Sequence, residues 1–350
     1  MTITEPNAPT AAPEGETLLE LLGVSKEFTV KNDGKKATLS AVNDVSFRVR
    51  AGTTLGVVGE SGCGKSTLAR VIVGLHPASD GEMIFADKQI KGRRSRATVR
   101  DMQMVFQDPA SALNPRATIG ESIGFPLEVQ GLPKAEIRAR VEKVIADVGL
   151  PAAYASHYPH QLSGGQRQRV NIARALAVQP RLIVLDEAVS ALDKSIQAQV
   201  LNLLTDLQEE YGLTYVFISH DLNVVEYISD EVVVMYLGQV VERASAQALY
   251  EQPRHPYTQL LLSSIPNLDP EKSSRDVPHD EGSGEIPSPI NPPSGCRFRT
   301  RCPKAMAVCA ERKPDQHEVA TDHFVACHLY AAEAEPDPVV VGMPAPRHAL

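Results

Sequence analysis

A glycine-rich run over residues 59–67 has the residue types and the spacing of a phosphate-binding loop. It matches the pattern G-x-x-x-x-G-K-[ST] at every fixed position. Glycines let successive backbone N–H groups turn toward an anion. Lys65 adds a positive charge for the outer phosphates, and the Ser66 hydroxyl suits Mg²⁺. The residues predicted to bind the phosphates are Gly59, Glu60, Ser61, Gly62, Cys63, Gly64, Lys65, Ser66 and Thr67.

Three further polar residues follow apolar segments of the kind that form buried strands. Asp186 and Glu187 follow the apolar run 182–185, and His220 comes shortly after the run 215–218. In open α/β sheets, ligands bind outside the carboxyl ends of the parallel strands. Asp186 is therefore a candidate for Mg²⁺, and Glu187 for a general base that positions a water. A lone histidine is more often structural, but its position after a core strand favours a catalytic role for His220.

A second glycine pair lies about a hundred residues beyond the first loop. Leu162, Ser163, Gly164, Gly165 and Gln166 precede a predicted helix over 167–178. Ser163 suits the N-cap position, and the glycines leave backbone N–H groups accessible to an anion. An ordinary helix cap is the alternative interpretation.

The elements that must position these residues are visible as apolar patterns. A strand over 54–58 and a helix over 68–73 flank the phosphate loop, which disfavours a glycine-rich turn without a ligand. A loop with Gln107 follows the strand predicted over 102–106, a usual place for functional residues. Residues 91–100 carry five basic residues and predict a solvated cationic loop. Phe28 lies in a predicted antiparallel sheet, where it either packs in the core or stacks on an adenine.

Composition excludes several classes of protein. The 350 residues carry a net charge of −8, which argues against a nucleic-acid binder. The sequence shows no apolar run near the roughly 18–20 residues that a membrane span needs. The polar N-terminus is unlike a signal peptide. A cytosolic protein is therefore expected, in which the five cysteines do not form disulfides.

Together these motifs make the chain resemble the ATP-binding-cassette ATPases over residues 18–262. The resemblance covers the phosphate loop, the glutamine loop at Gln107, the signature 162–166, the strand ending in Asp186-Glu187, residues 190–193 and the switch residue His220. It implies an α/β P-loop NTPase cassette with a mixed core sheet flanked by helices. An N-terminal antiparallel β subdomain, a helical signature subdomain and a small cysteine-containing C-terminal extension are expected to complete it.

The resemblance also implies domain boundaries and a mechanism. A disordered lead over 1–17, the cassette over 18–262, the extension over 263–330 and a disordered tail over 331–350 are predicted, with a flexible linker over 266–295. Two cassettes would dimerise head to tail, so that Leu162, Ser163, Gly164, Gly165 and Gln166 of one contact the ATP held by the other. Within one cassette, Ser66, Gln107 and Asp186 would serve Mg²⁺, Glu187 the attacking water, His220 the γ-phosphate and Phe28 the adenine.

A narrower resemblance, to the oligopeptide and dipeptide importers, rests on four short segments. These are residues 107–109, 113–116, 255–258 and 265–266. It implies the ATP-hydrolysing subunit of a peptide importer, peripheral at the cytoplasmic face of the membrane. The implied partners are a second, usually non-identical cassette, two transmembrane permease subunits and an extracytoplasmic substrate-binding protein, with no nucleic acid. The alternatives are a nickel or sugar importer, a soluble cassette ATPase of translation or DNA repair, and a regulatory cassette without hydrolysis.

Four cysteines cluster in the C-terminal extension. Cys296, Cys302, Cys309 and Cys327 are separated by five, six and seventeen residues, unlike the usual spacing of structural zinc sites. The basic residues Arg297, Arg299, Arg301 and Lys304 predict thiolates at the first pair. A [4Fe–4S] cluster, which the branch resemblance also implies, fits four thiolates. Zinc, with His317, His323 or His328 as substitute ligands, and metal-free thiols remain alternatives.

Overall fold

The computed structural model describes residues 15–32, 34–92, 94–264 and 287–331. The predicted lead, linker and tail fall mostly outside these ranges. Among the described residues, none of the helices combines the length and the apolar character of a membrane span.

Within the described ranges, strands and helices alternate along most of the chain. The strands are β1 (Thr17–Asn32), β2 (Lys35–Arg50), β3 (Thr54–Val58), β4 (Asp80–Phe85), β5 (Lys88–Gln89), β6 (Met102–Val105), β7 (Leu182–Asp186), β8 (Thr214–Ile218), β9 (Glu231–Tyr236), β10 (Gln239–Ser245), β11 (His317–Ala320) and β12 (His323–Val325). The helices are α1 (Lys65–Val73), α2 (Arg96–Asp101), α3 (Ile119–Gln130), α4 (Lys134–Asp147), α5 (Gly164–Leu176), α6 (Lys194–Tyr211), α7 (Leu222–Ile228), α8 (Ala246–Glu251), α9 (Pro256–Ser263) and α10 (Val308–Glu311).

The larger sheet is mixed and has the order β11-β12-β10-β9-β3-β8-β7-β6. Strands β9, β3, β8, β7 and β6 run parallel to one another, whereas β10, β12 and β11 extend the sheet from β9 through antiparallel pairs. Every residue of β3, β7 and β8 is buried, as expected for central strands covered on both faces. The carboxyl ends of β3, β6, β7 and β8 therefore meet at one edge, which confirms the predicted α/β architecture.

The smaller sheet is antiparallel and has the order β2-β1-β4-β5, which confirms the predicted N-terminal β subdomain. Its long hairpin pairs β1 with β2, and Asn32 lies opposite Lys35. Apolar residues of this sheet share a core with β3 and α1. This sheet therefore packs directly on the elements that flank the phosphate loop.

Helices α3, α4 and α5 pack together beside the mixed sheet. Ile119, Ile123 and Leu127 of α3 are buried, as are Val141 and Val144 of α4. The helix predicted to begin at residue 167 instead begins at Gly164. The prediction was wrong because the reciprocal bonds between Ser163 and Gln166 let the helix start earlier.

Most described residues of the cationic segment over 91–100 are exposed, as predicted, but the segment is only partly a loop. Part of it forms α2, and the guanidinium of Arg94 donates a 2.8 Å hydrogen bond to the carbonyl of Val71. Burial lowers the pKa of Arg94 to about 10. The long arginine side chain allows the charge to reach back to the end of α1, which composition alone does not reveal.

The C-terminal extension continues the mixed sheet. Strand β12 pairs with β10, so that Val325 lies opposite Glu242, and β11 pairs with β12. Phe298 is buried in one aromatic cluster with Tyr236 and Tyr257. The extension therefore packs against the strands and the helix that follow the switch histidine.

Candidate functional site

The phosphate loop has a backbone that only glycine accommodates at two of its positions. Gly59 and Gly64 have φ angles of 149° and 107°. A Cβ atom on Gly64 would lie 2.1 Å from the carbonyl oxygen of Ala41, and one on Gly59 would lie 2.2 Å from that of Met235. The loop is therefore held tightly between β2 and β9, and the two glycines are required by geometry.

The start of α1 directs its N–H groups into this loop. Gly64 is the N-cap residue, and it provides no side-chain cap for the first turn of α1. Backbone N–H groups at a helix start and the positive end of the helix dipole together favour an anion. Lys65 is buried, and its Nζ donates to the carbonyls of Gly59 at 2.7 Å and Glu60 at 3.1 Å. The loop thus carries the donors that a phosphate chain requires.

Two oxygen ligands meet beside the loop. The Ser66 hydroxyl donates a 2.8 Å hydrogen bond to Oδ1 of Asp186, which lies at the end of β7. Asp186 is only 4% exposed. Burial raises the pKa of its carboxyl, although the Ser66 hydroxyl and the nearby Arg70 act in the opposite direction. Hard oxygen donors of this kind suit Mg²⁺, so the residues fit the predicted metal.

Gln107, Glu187 and His220 come together from the ends of β6, β7 and β8. Gln107 Nε2 donates a 2.6 Å hydrogen bond to Oε2 of Glu187, and His220 Nδ1 lies 3.5 Å from the same oxygen. The backbone N–H of Glu187 donates to the carbonyl of Ile218 at 2.9 Å. Glu187 also has a φ angle of 50°, a left-handed conformation that is uncommon for a residue with a side chain. This arrangement directs the carboxylate of Glu187 along the edge of the sheet at which the parallel strands end.

The signature residues form a separate, exposed helix start. Ser163 Oγ accepts the N–H of Gln166 at 3.3 Å, and Gln166 Oε1 accepts the N–H of Ser163 at 2.9 Å. A Cβ atom on Gly165 would lie 2.5 Å from Cγ2 of Ile196, so this glycine lets α5 approach α6. Among the described residues, no hydrogen bond joins residues 162–166 to the phosphate loop. Nothing within one chain therefore places the signature on its own phosphate loop.

Phe28 is half-buried on β1, opposite Leu39 of β2. Its ring lies edge-on to His76, with the ring centroids 5.4 Å apart. The Lys26 ammonium lies 5.0 Å from the centroid of the Phe28 ring. The phenyl ring is thus not a fully buried core residue, and its stacking on an adenine stays a prediction.

Sequence reasoning missed two residues that contact the phosphate loop from the C-terminal part of the chain. The N–H of Glu60 donates to Tyr257 Oη at 2.9 Å. Arg301 Nη1 and Nη2 donate to the two oxygens of Glu60 at 2.7 and 2.9 Å. The only signal in the sequence is the single acidic residue within the loop, which needs a cationic partner. That partner lies 241 residues away, so local patterns could not identify it.

The four cysteines of the extension lie near one another, but the predicted thiolates are not supported. Burial raises the pKa of Cys296 and Cys302, and it raises the pKa of Cys327 to about 11. The neighbouring sulfurs add to these upward shifts. A raised pKa favours the protonated thiol, so the prediction of thiolates was wrong for the chain without a bound metal.

The basic residues of this segment are engaged elsewhere. Arg301 pairs with Glu60, Arg297 donates to the carbonyl of Leu237, and Arg299 donates to that of Ser294 at 2.9 Å. The Lys304 ammonium acts to lower the pKa of Cys302, but the effect of burial is larger. The guanidinium groups thus stabilise packing of the extension rather than charge on sulfur.

Two of the three histidines proposed as substitute zinc ligands, His323 and His328, have other partners. His323 Nε2 lies 2.7 Å from Oε1 of the buried Glu242, and His328 Nε2 lies 2.9 Å from the carbonyl of Arg312. Across the described ranges, no group of three or more His, Cys, Asp or Glu side chains has the arrangement of a metal site. The cysteines supply the donor count of an iron–sulfur cluster but do not present its geometry.

Comparisons with known proteins agree along nearly the whole chain. A family described as "ABC transporter" matches residues 42–190, and one described as "Oligopeptide/dipeptide transporter, C-terminal region" matches residues 241–309. The chain is 50% identical to the oligopeptide transport ATP-binding protein OppF of Haemophilus influenzae, over 91% of this chain and 98% of that protein. It is 49% identical to the oligopeptide transport ATP-binding protein AppF of Bacillus subtilis, over 91% and 99% of the two chains.

Solved structures show the same fold for the cassette part. One is the dimeric post-hydrolysis state of the ATP-binding cassette MJ0796 bound to ADP and Pi, with a TM-score of 0.58 and 30% identity. The matched region covers 65% of this chain and 99% of the MJ0796 chain. Another is cbiO1 of Clostridium perfringens, with a TM-score of 0.59, 28% identity, and coverage of 67% and 91%.

Proposed function

The chain belongs to the ABC transporter ATPases, in the branch of the oligopeptide transport ATP-binding proteins, and from this premise we propose how its residues bind and hydrolyse ATP. It is the ATP-hydrolysing subunit of a peptide importer. The observation that carries the mechanism is the meeting of Gln107, Glu187 and His220 beside the Ser66–Asp186 pair. In this proposal the cassette covers residues 18–262 and the C-terminal extension covers residues 263–330.

Residues 59–67 bind the β- and γ-phosphates of ATP. Lys65 and the uncapped N–H groups at the start of α1 supply the positive end of this site. Phe28 stacks on the adenine, because an exposed face of an aromatic ring can cover a base. Ser66, Asp186 and Gln107 hold Mg²⁺, which when bound neutralises charge on the phosphate oxygens.

Glu187 orients the attacking water and accepts its proton. Gln107 holds the carboxylate through the 2.6 Å bond, which fixes its direction at the strand ends. His220, 3.5 Å from the same oxygen, lies where it can contact the γ-phosphate. Positioned general bases of this kind raise rates by roughly 10²–10⁴-fold.

The exposed signature of one cassette completes the ATP site of another. Residues 162–166 form an accessible helix start that is not bonded to their own phosphate loop. A second cassette placed head to tail brings this helix start to the γ-phosphate held by the first. The second cassette is another copy of this chain or a non-identical subunit.

An apolar groove on the surface supports the proposal that the chain binds a membrane protein. It has a volume of about 1210 Å³ and is lined in part by Leu75, Val99, Phe125 and Val129, each at least half exposed. Grooves lined by exposed apolar side chains are a usual place for a partner's amphipathic helix to dock. Lys91, Arg96 and Arg100 also line it, so the groove fits an apolar helical segment that carries an acidic residue. We assign this segment to a cytoplasmic loop of a transmembrane permease subunit.

Peripheral association with the cytoplasmic face of the membrane follows from that contact. Two permease subunits and an extracytoplasmic substrate-binding protein complete the importer. The experiment that tests the function is uptake of oligopeptides into proteoliposomes that contain the chain, its partner cassette and its permease subunits, with MgATP on the cassette side of the membrane and the substrate-binding protein on the other side. Peptide uptake that depends on Lys65 supports the proposal, whereas ATP hydrolysis without any coupled peptide uptake contradicts it.

The proposal also includes a metal cluster bound by the four cysteines of the extension. A [4Fe–4S] cluster bound by Cys296, Cys302, Cys309 and Cys327 suits their number and proximity. No step of ATP hydrolysis passes through it, because the described geometry does not present a metal site. Iron content and the absorbance spectrum of anaerobically purified chain test it. About four iron atoms per chain, lost when Cys327 is replaced by serine, would support the cluster. Stoichiometric zinc or no metal would exclude it.

A further inference from the structure

The phosphate loop contains an acidic residue that opposes its own ligand. Glu60 is the single acid among residues 59–67, and it lies next to Gly59, whose carbonyl bonds to Lys65. A carboxylate at this place repels a triphosphate, and the repulsion grows as water is excluded. The loop therefore needs either a protonated Glu60 or a fixed positive partner.

Arg301 is that partner. Its two terminal nitrogens donate separately to the two carboxylate oxygens of Glu60, at 2.7 and 2.9 Å. The side chains of Arg301 and Glu60 are 7% and 24% exposed. Bidentate pairing fixes the direction of a carboxylate as well as its charge. The pair thus determines where Glu60 points while the loop binds an anion.

The guanidinium is itself held in place by the extension. It lies 5.8 Å from the ring centroid of Tyr236 and 5.9 Å from that of Phe298. The N–H of Arg301 donates to the carbonyl of Phe298 at 3.0 Å. Tyr257, in the same aromatic cluster, accepts the N–H of Glu60 at 2.9 Å. Both the backbone and the side chain of Glu60 are therefore fixed from the C-terminal third of the chain.

We propose that Arg301 is a positioning residue for ATP binding, through which the C-terminal extension neutralises and orients Glu60 in the phosphate loop of its own cassette. The proposal rests on the proposed function only in taking MgATP as the ligand of the loop. It assigns to the extension a direct part in nucleotide affinity. Because Arg301 immediately precedes Cys302, a rearrangement of the cysteine segment reaches the phosphate loop through this one side chain.

The test compares four full-length variants with the unmodified chain. They are Arg301→Gln, Glu60→Gln, the double variant, and Lys313→Ala as a control. Lys313 pairs with the exposed Asp44, so its removal breaks another contact between the extension and the cassette without touching the loop. Dissociation constants for MgATP and MgADP and melting temperatures are measured for each.

Loss of Arg301 leaves the Glu60 carboxylate uncompensated. Arg301→Gln is therefore expected to weaken MgATP binding about tenfold, and MgADP binding by less, since repulsion scales with the ligand charge. The double variant, which removes both charges, is expected to recover most of this loss and so to bind MgATP more tightly than Arg301→Gln does. Lys313→Ala is expected to bind as the unmodified chain does.

Equal MgATP affinity in Arg301→Gln and Lys313→Ala would overturn the proposal, whatever happens to the melting temperature. So would a double variant that binds as weakly as Arg301→Gln, because the loss would then not come from Glu60. If Arg301→Gln does not fold, Arg301→Met with and without Glu60→Gln gives the same comparison, because methionine also removes the charge and can pack against Tyr236 and Phe298. Equal affinity in that pair also overturns it. An unmodified chain that does not bind MgATP would instead contradict the proposed function.

Discussion

Oε2 of Glu187 accepts a 2.6 Å hydrogen bond from Gln107. His220 Nδ1 lies 3.5 Å from the same oxygen, so two neighbouring strand ends converge on one carboxylate. Among the described residues, no lysine or arginine forms an ion pair with Glu187, and its φ angle of 50° is a conformation that packing must maintain. The cost of that backbone is consistent with a carboxylate that has to face a reacting water.

The first prediction concerns Glu187→Gln. The amide keeps the size of the side chain but cannot accept the proton of the attacking water. Hydrolysis is expected to fall by roughly 10²–10⁴-fold, while MgATP affinity is retained and the ATP-bound dimer accumulates. Single-turnover hydrolysis, nucleotide titration and sedimentation measure the three quantities. Unchanged hydrolysis would refute the role of Glu187.

The second prediction concerns Asp186, the proposed ligand of Mg²⁺. Asp186→Asn keeps a hydrogen-bond acceptor for the Ser66 hydroxyl, which donates to Asp186 at 2.8 Å, but removes the negative charge. The Mg²⁺ concentration for half-maximal ATPase activity is expected to rise at least tenfold, since a carboxylate binds this ion more strongly than an amide. ATPase activity titrated with Mg²⁺ measures it.

A matched control distinguishes this metal effect from a general defect. Asp193 lies on the same chain segment, exposed at the start of α6, and its side chain makes no capping hydrogen bond there. Asp193→Asn is expected to leave the Mg²⁺ requirement unchanged. An equal shift in both variants would contradict the assignment of Asp186.

The third prediction concerns the apolar groove. Phe125 is 62% exposed there, and Phe125→Glu places a charge where a permease helix is expected to pack. Peptide uptake and co-purification with the permease are expected to be lost, while MgATP affinity is retained. Tyr227→Glu is the control, because Tyr227 is similarly exposed, at 63%, but does not line the groove. Uptake that survives Phe125→Glu would remove the groove as the docking surface.

The fourth prediction concerns the pH dependence of stability. His255 is buried, and burial lowers its pKa to about 4, against the opposing effect of Glu242. An unfolded histidine titrates near 6.5, so between these values the unfolded chain binds more protons and stability falls as the pH falls. From pH 7 to pH 5 the contribution to the free energy of unfolding is about 2 kcal/mol.

His255→Asn isolates this contribution. His255 Nδ1 accepts the N–H of Tyr257 at 3.0 Å as the N-cap of α9, and an asparagine can accept the same bond without titrating. Urea unfolding at pH 7 and pH 5 is expected to show a smaller loss of stability in the variant than in the unmodified chain. An identical loss would show that His255 is not the titrating group.

Local patterns predicted well which residues meet at the edge of the sheet where the parallel strands end. They did so because each motif there is tied to one backbone geometry. The glycines of residues 59–67 and the carboxylates after β7 follow from what a phosphate and a buried strand require. The start of α5 was misplaced although the Ser163–Gln166 pattern was visible in the sequence, because cap and helix were treated separately. The residues of the phosphate loop were therefore easier to predict from the sequence than the ends of the helices.

The partners of two long side chains were not predicted correctly from the sequence. Arg94 was expected in solvent but reaches the end of α1, and Arg301 was expected beside thiolates but pairs with Glu60. An arginine can place its charge several ångströms from its backbone, so neighbours in sequence do not identify its partner. Only the packing of the extension on β9 and α9 shows which acid it meets.

The pairing of β12 with β10 has a practical consequence for anyone trimming the protein to a minimal cassette. A fragment that stops near residue 264 would lose β12, so one side of β10 would present unpaired amides and carbonyls. Glu242, fully buried, would keep its bonds from the N–H groups of Arg254 and His255 but lose His323. Such a fragment should self-associate through its bare strand, and poor solubility of a shortened chain would reflect that exposed edge rather than a failure of the nucleotide site.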